Sequence, residues 1–352
     1  MKKDPGCMHD PRDYSLPELS EALQQMGLPP FRARQLFSWL HQKQAANSDQ
    51  MTSLPQSVRA QLQETFAIRA FEPFRTESSK DGSRKYVFKT ADGHGIESVL
   101  IPERRHLTLC ISTQIGCAMG CSFCCTGQLG LVRNLRPGEI VGQVLAIVRE
   151  HGLAERLPNI VYMGMGEPLA NYDNLITSIR ILQDEHGLNY SHRKITVSTC
   201  GLVPGIAALG RDTDVNLAVS LNAPDDELRS TLMPINRTYP LAILLEALRG
   251  YPLPPRKRIT FEYILMRDVN DSDRHARALA GLLKGLRCKI NLIPFNEHSG
   301  SDVRAPAERR LAGFQSILVA NNYTAPIRRS KGADIAAACG QLGRSAGGDA
   351  HR

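Results

Sequence analysis

The sequence predicts an α/β fold, namely a partial (β/α)6 barrel that follows a small N-terminal helical domain and a linking β-hairpin. Three observations predict it. Helical patterns dominate the first ~70 residues, two short alternating strands come next, and strand-length apolar runs then alternate six times with helical patterns. Right-handed crossovers between parallel strands place the helices outside, so six units curve into an incomplete barrel. The predicted boundaries are 1–74 for the helical domain, 75–102 for the hairpin, 103–342 for the barrel with its C-terminal segment, and 343–352 for a flexible tail.

Composition limits the classes of protein to consider. A chain of 352 residues with 42% hydrophobic content can bury a sizeable core. Its longest apolar runs, such as residues 159–163, have the length of a strand, far below the ~20 residues of a membrane-spanning helix, so we expect no membrane association. A net charge of +8 favours a polyanionic partner such as nucleic acid, although 6% aromatic content offers no obvious platform for stacking bases.

The N-terminal domain is predicted to be a three-helix unit. Ser15 is the expected N-cap of the first helix, and Pro17 lies in its first turn. An amphipathic second helix is expected over residues 31–40, and a third around residues 55–66.

The linking hairpin is predicted from two alternating runs, residues 84–89 and 96–101, that flank a turn at residues 91–93. Glu97 lies among apolar neighbours in the second run. From the alternation alone, we expect it to face outward as an ordinary strand residue.

The barrel strands are predicted from six apolar runs, at residues 107–111, 159–163, 194–198, 216–220, 259–265 and 288–293. Functional residues of such barrels lie in the loops that follow the strand C-termini, and polar or glycine-rich segments follow five of these runs. We expect six strands to leave a wide lateral opening, which suits a macromolecular substrate.

Three cysteines with the spacing CxxxCxxC, Cys117, Cys121 and Cys124, follow the first barrel strand. Three thiolates can hold a [4Fe-4S] cluster and leave one iron open to a small molecule. A structural zinc site is a weaker interpretation, because zinc usually takes four ligands and no second CxxC pair follows. Nine cysteines and a start at residues 1–4 without a secretory leader favour a reduced cytosolic compartment over disulfides.

Polar groups at the other strand ends are candidates for ligand binding. In the loop at residues 164–168, glycines would let the backbone approach a ligand closely, and Glu167 can accept a hydrogen bond from an ammonium group. Short polar side chains that suit ribose hydroxyls or a carboxylate follow at Ser198, Ser220, Asn222 and Asn296. Such residues are equally often plain caps of strands.

Five separated motifs together resemble the RlmN/Cfr family of radical S-adenosylmethionine (SAM) RNA methyltransferases. They are CAMGCSFC (117–124), GMGEPL (164–169), STCG (198–201), MPIN (233–236) and AACGQL (337–342). The resemblance implies a radical SAM barrel, a [4Fe-4S] cluster on Cys117, Cys121 and Cys124, and an N-terminal domain that assists RNA binding. It also implies SAM contacts at Gly166, Glu167, Ser198, Ser220, Leu221, Asn222 and Asn296, although many members have His where this chain has Asn222.

The resemblance implies a mechanism as well, since C2 of adenine is too electrophilic for simple nucleophilic methyl transfer. In the family, one SAM methylates a C-terminal cysteine that matches Cys339, and a second SAM yields a 5′-deoxyadenosyl radical that activates the S-methyl group. A cysteine that matches Cys110 then resolves the adduct through a transient disulfide with Cys339. Glu97 matches the acceptor of the ring proton.

The implied substrates are an adenosine in the peptidyl-transferase region of 23S rRNA and the adenosine next to the anticodon in some tRNAs. An electron donor such as flavodoxin or ferredoxin is implied, and we expect a cytoplasmic monomer. Two alternatives stay open: a Cfr-type enzyme that methylates C8, which shares every residue named, and a non-catalytic RNA-binding protein with a structural metal. The second gives no reason for Cys110 and Cys339.

Overall fold

A nine-stranded mixed sheet organises the fold of this protein, for which a computed structural model describes residues 10–298 and 301–343. The strands are β1 (Pro73–Ser78), β2 (Arg84–Lys89), β3 (Gly95–Pro102), β4 (Leu107–Cys110), β5 (Gln114–Cys117), β6 (Gly130–Asn134), β7 (Asn159–Tyr162), β8 (Ile195–Thr199), β9 (Asn216–Ser220), β10 (Ile259–Leu265) and β11 (Cys288–Pro294). Their order in the main sheet is β1-β2-β3-β4-β7-β8-β9-β10-β11, and β5 and β6 form a separate pair.

Helices follow most of the parallel strands. They are α1 (Leu16–Gln25), α2 (Phe31–Phe37), α3 (Gln56–Thr65), α4 (Cys125–Gln128), α5 (Pro137–Glu150), α6 (Tyr172–Gln183), α7 (Val203–Asp212), α8 (Asp226–Leu232), α9 (Leu241–Arg249), α10 (Asp273–Leu282) and α11 (Glu308–Ala320). In the described part of the chain, no helix is long and apolar enough to span a membrane.

The six predicted barrel strands are confirmed as β4 and β7 to β11, each within one residue of its predicted ends. They pair in parallel, with registers such as Glu262 opposite Asn291. Their carboxyl ends therefore lie at one edge of the sheet, as the predicted barrel requires.

The predicted N-terminal helices are also confirmed. Ser15 caps α1 in a capping box with Glu18, and Pro17 lies in the first turn. The second helix differs from the prediction, because α2 ends at Phe37 and a π-helical turn continues to Gln42. Cys7 and most of the predicted tail lie outside the described residues.

The hairpin is not a separate linker between two units. It forms part of the main sheet, because β3 pairs antiparallel with β4, and an additional strand, β1, pairs with β2. The half-exposed alternation of β1 contains Pro73 and several charges, so its sequence carries a weak strand signal.

The C-terminal segment, residues 328–343, crosses the side of the barrel between β11 and the hairpin, and we call it the strap. The backbone N–H of Arg328 donates to Leu292 in β11 at 2.8 Å. At its far end, the backbone N–H of Gly343 donates to the Glu97 carboxylate in β3 at 2.9 Å. The lateral opening expected from six strands is thus partly closed by the chain itself.

Candidate functional site

A cavity of about 320 Å³ lies at the carboxyl edge of the barrel strands. Its walls come from the cysteine loop, the loop after β7, the ends of β8 and β9, the interior faces of β10 and β11, and the strap. The predicted site residues that line it are Cys110, Cys117, Cys121, Cys124, Gly166, Glu167, Ser198, Ser220 and Cys339.

The cysteine loop is held by contacts with β6, with the end of α8 and with the strap. Cys117 ends β5 and pairs with Gly130 in β6, and the Ser122 N–H donates to the Leu232 carbonyl at 3.0 Å. The Cys125 N–H donates to the carbonyl of Gly340 in the strap at 2.8 Å. The strap therefore contacts the loop that carries the three cysteines.

The thiols of this loop fit an iron–sulfur cluster by their chemistry. Burial raises the pKa of Cys117 to about 11 and also raises that of Cys121, so thiolates at these positions need adjacent positive charge. The iron ions of a cluster would supply that charge, and Cys117, Cys121 and Cys124 would leave one iron of a [4Fe-4S] cluster without a protein ligand. Over the described ranges, no three His, Cys, Asp or Glu side chains converge as the ligands of a single metal ion.

The glycines of the loop after β7 are required by packing inside the protein. A Cβ atom at Gly166, where φ is +100°, would lie 2.5 Å from Cβ of Gln114. A Cβ atom at Gly164 would lie 2.7 Å from the carbonyl of Ile111. Close approach to a ligand is therefore not needed to explain either glycine, although both line the cavity.

Glu167 is buried beside the same loop. Its Oε1 accepts from the Leu169 N–H at 3.1 Å, and its Oε2 accepts from the Cys200 N–H at 2.8 Å. Burial raises the pKa of its carboxyl group. The carboxylate keeps lone pairs for a further donor, because each oxygen can accept two hydrogen bonds.

Three of the predicted SAM contacts are absent from the cavity wall. Leu221 and Asn222 are fully buried. The Asn222 amide donates to the Met233 sulfur at 3.3 Å and accepts from the Ile264 N–H at 2.9 Å. Its side chain therefore joins β10 to the residue that follows α8, and its own backbone is left-handed, with φ +60°. Asn296 lies at the rim and is described below.

Arg229, which the sequence did not indicate as a site residue, is buried and binds several loops around the cavity. Its guanidinium is fully buried and donates to the carbonyls of Cys200 (2.7 Å), Ser220 (3.2 Å) and Leu221 (3.1 Å), and to Oδ1 of Asn236 (2.8 Å). It ties the ends of β8 and β9 to the MPIN motif. Burial lowers its pKa. The only signal for Arg229 in the sequence was its position just before the MPIN motif.

The interior of the barrel also carries charges that the sequence reasoning did not select. Glu262 and Lys289 line the cavity together with Asn291, whose amide donates to Glu262 at 2.9 Å. Burial raises the pKa of Glu262 and lowers that of Lys289. Charged residues in the middle of predicted buried strands were the available signal.

Cys110 and Cys339 both line the cavity, one at the end of β4 and the other on the strap. The amide of Asn296 donates to the Cys339 carbonyl and to the Ser330 hydroxyl, both at 2.9 Å. Burial is the main cause of the raised pKa of Cys110, and the nearby Cys339 thiol raises it further. Cys339 is exposed toward the cavity, yet the surrounding protein raises its pKa to about 11 by desolvation. Both residues are free thiols, and the described cysteines form no disulfide.

Glu97 does not face outward as predicted, because the strap covers its side of β3. Its side chain is fully buried, and its Oε2 accepts from Gly343 at 2.9 Å. Within the described residues, its Oε1 has no hydrogen-bond partner. Glu97 lies outside the cavity wall but contacts the strap four residues from Cys339.

Two basic runs, residues 256–258 and 328–331, are candidates for phosphate contacts, and the second lies near the site. Arg328, Arg329 and Lys331 line the cavity, although Arg328 also pairs with Glu103 at 3.2 Å. Residues 256–258 directly precede β10 and so lie at the opposite, amino edge of the sheet.

Comparisons with known proteins agree with this architecture. Residues 111–279 match the family model described as Radical SAM superfamily, and residues 12–68 match the one described as Ribosomal RNA large subunit methyltransferase N-terminal domain. The dual-specificity RNA methyltransferase RlmN of Desulfosudis oleivorans is 55% identical over 316 residues, which cover 90% of this chain and 85% of that protein. The RlmN of Syntrophobacter fumaroxidans is 50% identical over 339 residues, 96% of this chain and 98% of that protein. A crystal structure of a radical SAM methyltransferase from Sphaerobacter thermophilus superposes with a TM-score of 0.90 at 47% identity, covering 95% of this chain and 98% of that one.

Proposed function

The chain belongs to the RlmN family of radical SAM RNA methyltransferases, and we propose that it methylates C2 of an adenosine in 23S rRNA and of the adenosine next to the anticodon in some tRNAs. The observation that carries this proposal is the shared cavity. Cys110 and Cys339, two thiols outside the cluster motif, line the same cavity as Cys117, Cys121 and Cys124. Electron storage alone gives no reason for two further thiols there.

The residues of the cavity divide into binding and reacting groups. Cys117, Cys121 and Cys124 would hold a [4Fe-4S] cluster. The cluster and two SAM molecules per turnover would supply the methyl group and a radical at its carbon. Glu167 would accept from the amino group of SAM, with Ser198 and Ser220 close to its ribose. Leu221, Asn222 and Asn296 would act through backbone positions and through the strap, since their side chains do not line the cavity.

Cys339 would carry the methyl group as S-methylcysteine and present it to the base. Cys110 would then attack the Cys339 sulfur and break its bond to the transferred carbon. That carbon takes up a proton to become the methyl group of the adenine, and a disulfide is left between the two cysteines. Both thiols must first lose their protons, because burial raises both pKa values. Glu97 would accept the ring proton. Because Glu97 is fully buried and lies outside the cavity wall, this role requires the strap at Gly343 to move away from it, and within the described residues its Oε1 has no hydrogen-bond partner that would have to be displaced.

The partners follow from this chemistry. A positive net charge of +8 and the basic residues Arg328, Arg329 and Lys331 at the cavity support an RNA substrate. Reduction of the disulfide and of the cluster requires an electron donor, such as a flavodoxin or a ferredoxin. We propose that a monomer acts on the RNA.

The test is mass spectrometry of nucleosides from unmodified 23S rRNA and tRNA, after incubation with anaerobically purified protein, SAM and a reductant. We expect 2-methyladenosine from the wild type and none from Cys339→Ala with unchanged iron content. Cys288→Ala is the matched control, because Cys288 is a buried thiol at the start of β11 and outside the cavity wall. It should keep its activity. The 8-methyl isomer would indicate a Cfr-type enzyme instead, and no methyladenosine from protein with an intact cluster would overturn the proposal.

A further inference from the structure

The β1–β2 hairpin anchors the strap, although it lies outside the site. Neither family model extends over the β1–β2 hairpin or the strap. One model matches residues 12–68 and the other matches residues 111–279. The two segments are nevertheless in direct contact across about 250 residues of sequence. This contact joins the hairpin to the segment that carries Cys339.

The turn between β1 and β2 binds the strap on the surface. Asp334 accepts from the Ser79 hydroxyl at 2.6 Å and from the Lys80 N–H at 3.2 Å. Asp81 in the same turn accepts from the Gly332 N–H at 2.7 Å. Carboxylates from both segments therefore receive hydrogen bonds across the contact, and each is stronger than a bond between neutral groups.

Lys85 holds the strap from beneath. Its side chain is 1% exposed, which is rare for a lysine on the strand of a hairpin. Its Nζ donates to the carbonyl of Ile335 at 2.6 Å and lies 3.2 Å from the carboxylate of Glu77. A buried ammonium group is tolerated only where such partners compensate its lost hydration.

The position of Ile335 determines where Cys339 lies. Only Ala336, Ala337 and Ala338 separate the two residues. Ala336 has a left-handed backbone with φ +50°, so the chain turns sharply just after the carbonyl that Lys85 holds. The Ala337 N–H closes this turn by donating to the Gly332 carbonyl at 2.8 Å, and the Cys339 carbonyl accepts from Asn296 at 2.9 Å. The reacting thiol therefore lies just after a short hydrogen-bonded turn that the Lys85 contact fixes at its start.

We propose that Lys85 is a positioning residue, which through Ile335 holds the turn of the strap so that the Cys339 thiol lies in the cavity. This inference rests on the proposed function of Cys339 as the methyl carrier. Lys85 does not line the cavity, so its proposed effect on the reaction passes through the strap. Its place in the β2–β3 ladder is a second route, which exchange across the whole sheet would detect.

The test compares Lys85→Met and Lys85→Arg with Lys89→Met in the holoenzyme. Lys89 lies on the same strand and is exposed, and the methionine side chain keeps most of the volume of lysine. Hydrogen–deuterium exchange of residues 332–343 is measured together with kcat, the KM for SAM and the iron content. For Lys85→Met we expect faster exchange confined to these residues, a fall in kcat of roughly tenfold to a hundredfold, and a KM and iron content near those of the wild type. Lys85→Arg should restore much of the loss.

Asp334→Ala covers the case in which Lys85→Met does not fold. Asp334 lies on the surface, so this variant removes the anchor of the turn without touching the core, and exchange at residues 332–335 should increase. Unchanged exchange in these variants, or a Lys85→Met kcat within twofold of the Lys89→Met value, overturns the inference. Faster exchange across the whole sheet with a raised KM also overturns it, since that marks a general structural role. A wild type without methyladenosine would instead defeat the proposed function, while the exchange data would still show whether Lys85 holds the strap.

Discussion

Arg229→Met should damage both the stability of the protein and its cavity. The arginine side chain is fully buried and donates to three carbonyls and to Asn236. Methionine fills a similar length but donates nothing, so four acceptors lose the guanidinium, although the Leu221 carbonyl keeps the Ala223 N–H at 2.8 Å and the Ser220 carbonyl is only partly buried. Two of the carbonyls belong to Cys200 and Ser220, which line the cavity.

The size of the effect follows from two opposing contributions. Each unsatisfied buried acceptor costs about 1–3 kcal/mol, whereas removal of a buried guanidinium returns several kcal/mol of desolvation free energy. We expect a net loss of about 3 kcal/mol in the free energy of unfolding. With an unfolding entropy of about 2.1 cal/mol/K per residue and 352 residues, this loss lowers the Tm by about 4 °C.

The assay is thermal unfolding of anaerobic protein together with kcat/KM for SAM. Arg211→Met is the control, because the Arg211 side chain is 70% exposed and pairs only with its neighbour Asp212. That variant should lose less than ~0.5 kcal/mol. For Arg229→Met, kcat/KM should fall roughly tenfold or more as the strand ends shift. A Tm within 1 °C of the control would refute the reasoning.

Two further predictions concern a glycine and a buried acid. Gly166→Ala should lower the Tm and the affinity for SAM, because its Cβ would lie 2.5 Å from Cβ of Gln114 at a φ of +100°. The control is Gly313→Ala in a helix, where a Cβ would meet nothing within 4 Å. This variant should be as stable as the wild type or more stable by about 0.5–1 kcal/mol. Burial outweighs Arg136 and raises the pKa of Asp13 to about 6, so the folded protein binds a proton between about pH 4 and 6 that the unfolded chain has released, and stability falls as the pH rises through this range. The Tm of Asp13→Asn should therefore rise relative to that of the wild type as the pH increases from 4.5 to 7, by the equivalent of about 2 kcal/mol. A difference in Tm that does not change with pH would contradict the raised pKa of Asp13.

The barrel was predictable from the sequence because its signal is local. The parallel strands have no exposed residue, so each appears as a short, mostly apolar or β-branched run whose length separates it from a helix, interrupted by residues such as Glu262 and Lys289 that line the cavity. Once the strands are parallel, their carboxyl ends must share an edge, and this places Cys117, Glu167, Ser198 and Ser220 in one cavity without any knowledge of packing.

The surroundings of the site were not predictable, because they depend on contacts between distant segments. Alternation along β3 predicted that Glu97 faces solvent, but residues almost 250 positions later cover it. Arg229 resembles any arginine of an amphipathic helix until α8 is packed against the ends of β8 and β9. Lys85 lies in the middle of an alternating strand, where lysine usually points to water. In each case the sequence states the residue type, and the fold decides which side is covered.

The strap differs from the other walls of the cavity in how it is held. The Gln143 amide accepts from the Ser98 hydroxyl and the Ser112 N–H and donates to the Ser112 carbonyl, at 2.6–3.0 Å. The Ser112 hydroxyl donates to the Glu97 carbonyl at 2.6 Å and accepts from the Met165 N–H at 2.8 Å. β3, the segment before the cysteine loop and the loop after β7 thus share one buried network, whose positions are fixed together. The strap between residues 332 and 343 belongs to no strand and is held along its length by individual hydrogen bonds, including those with Lys85, Asn296, Cys125 and Glu97. The proposed role of Cys339, which is to meet a methyl donor, a base and Cys110 in turn, requires such a segment, because a residue inside the sheet could not change its partner without breaking the barrel.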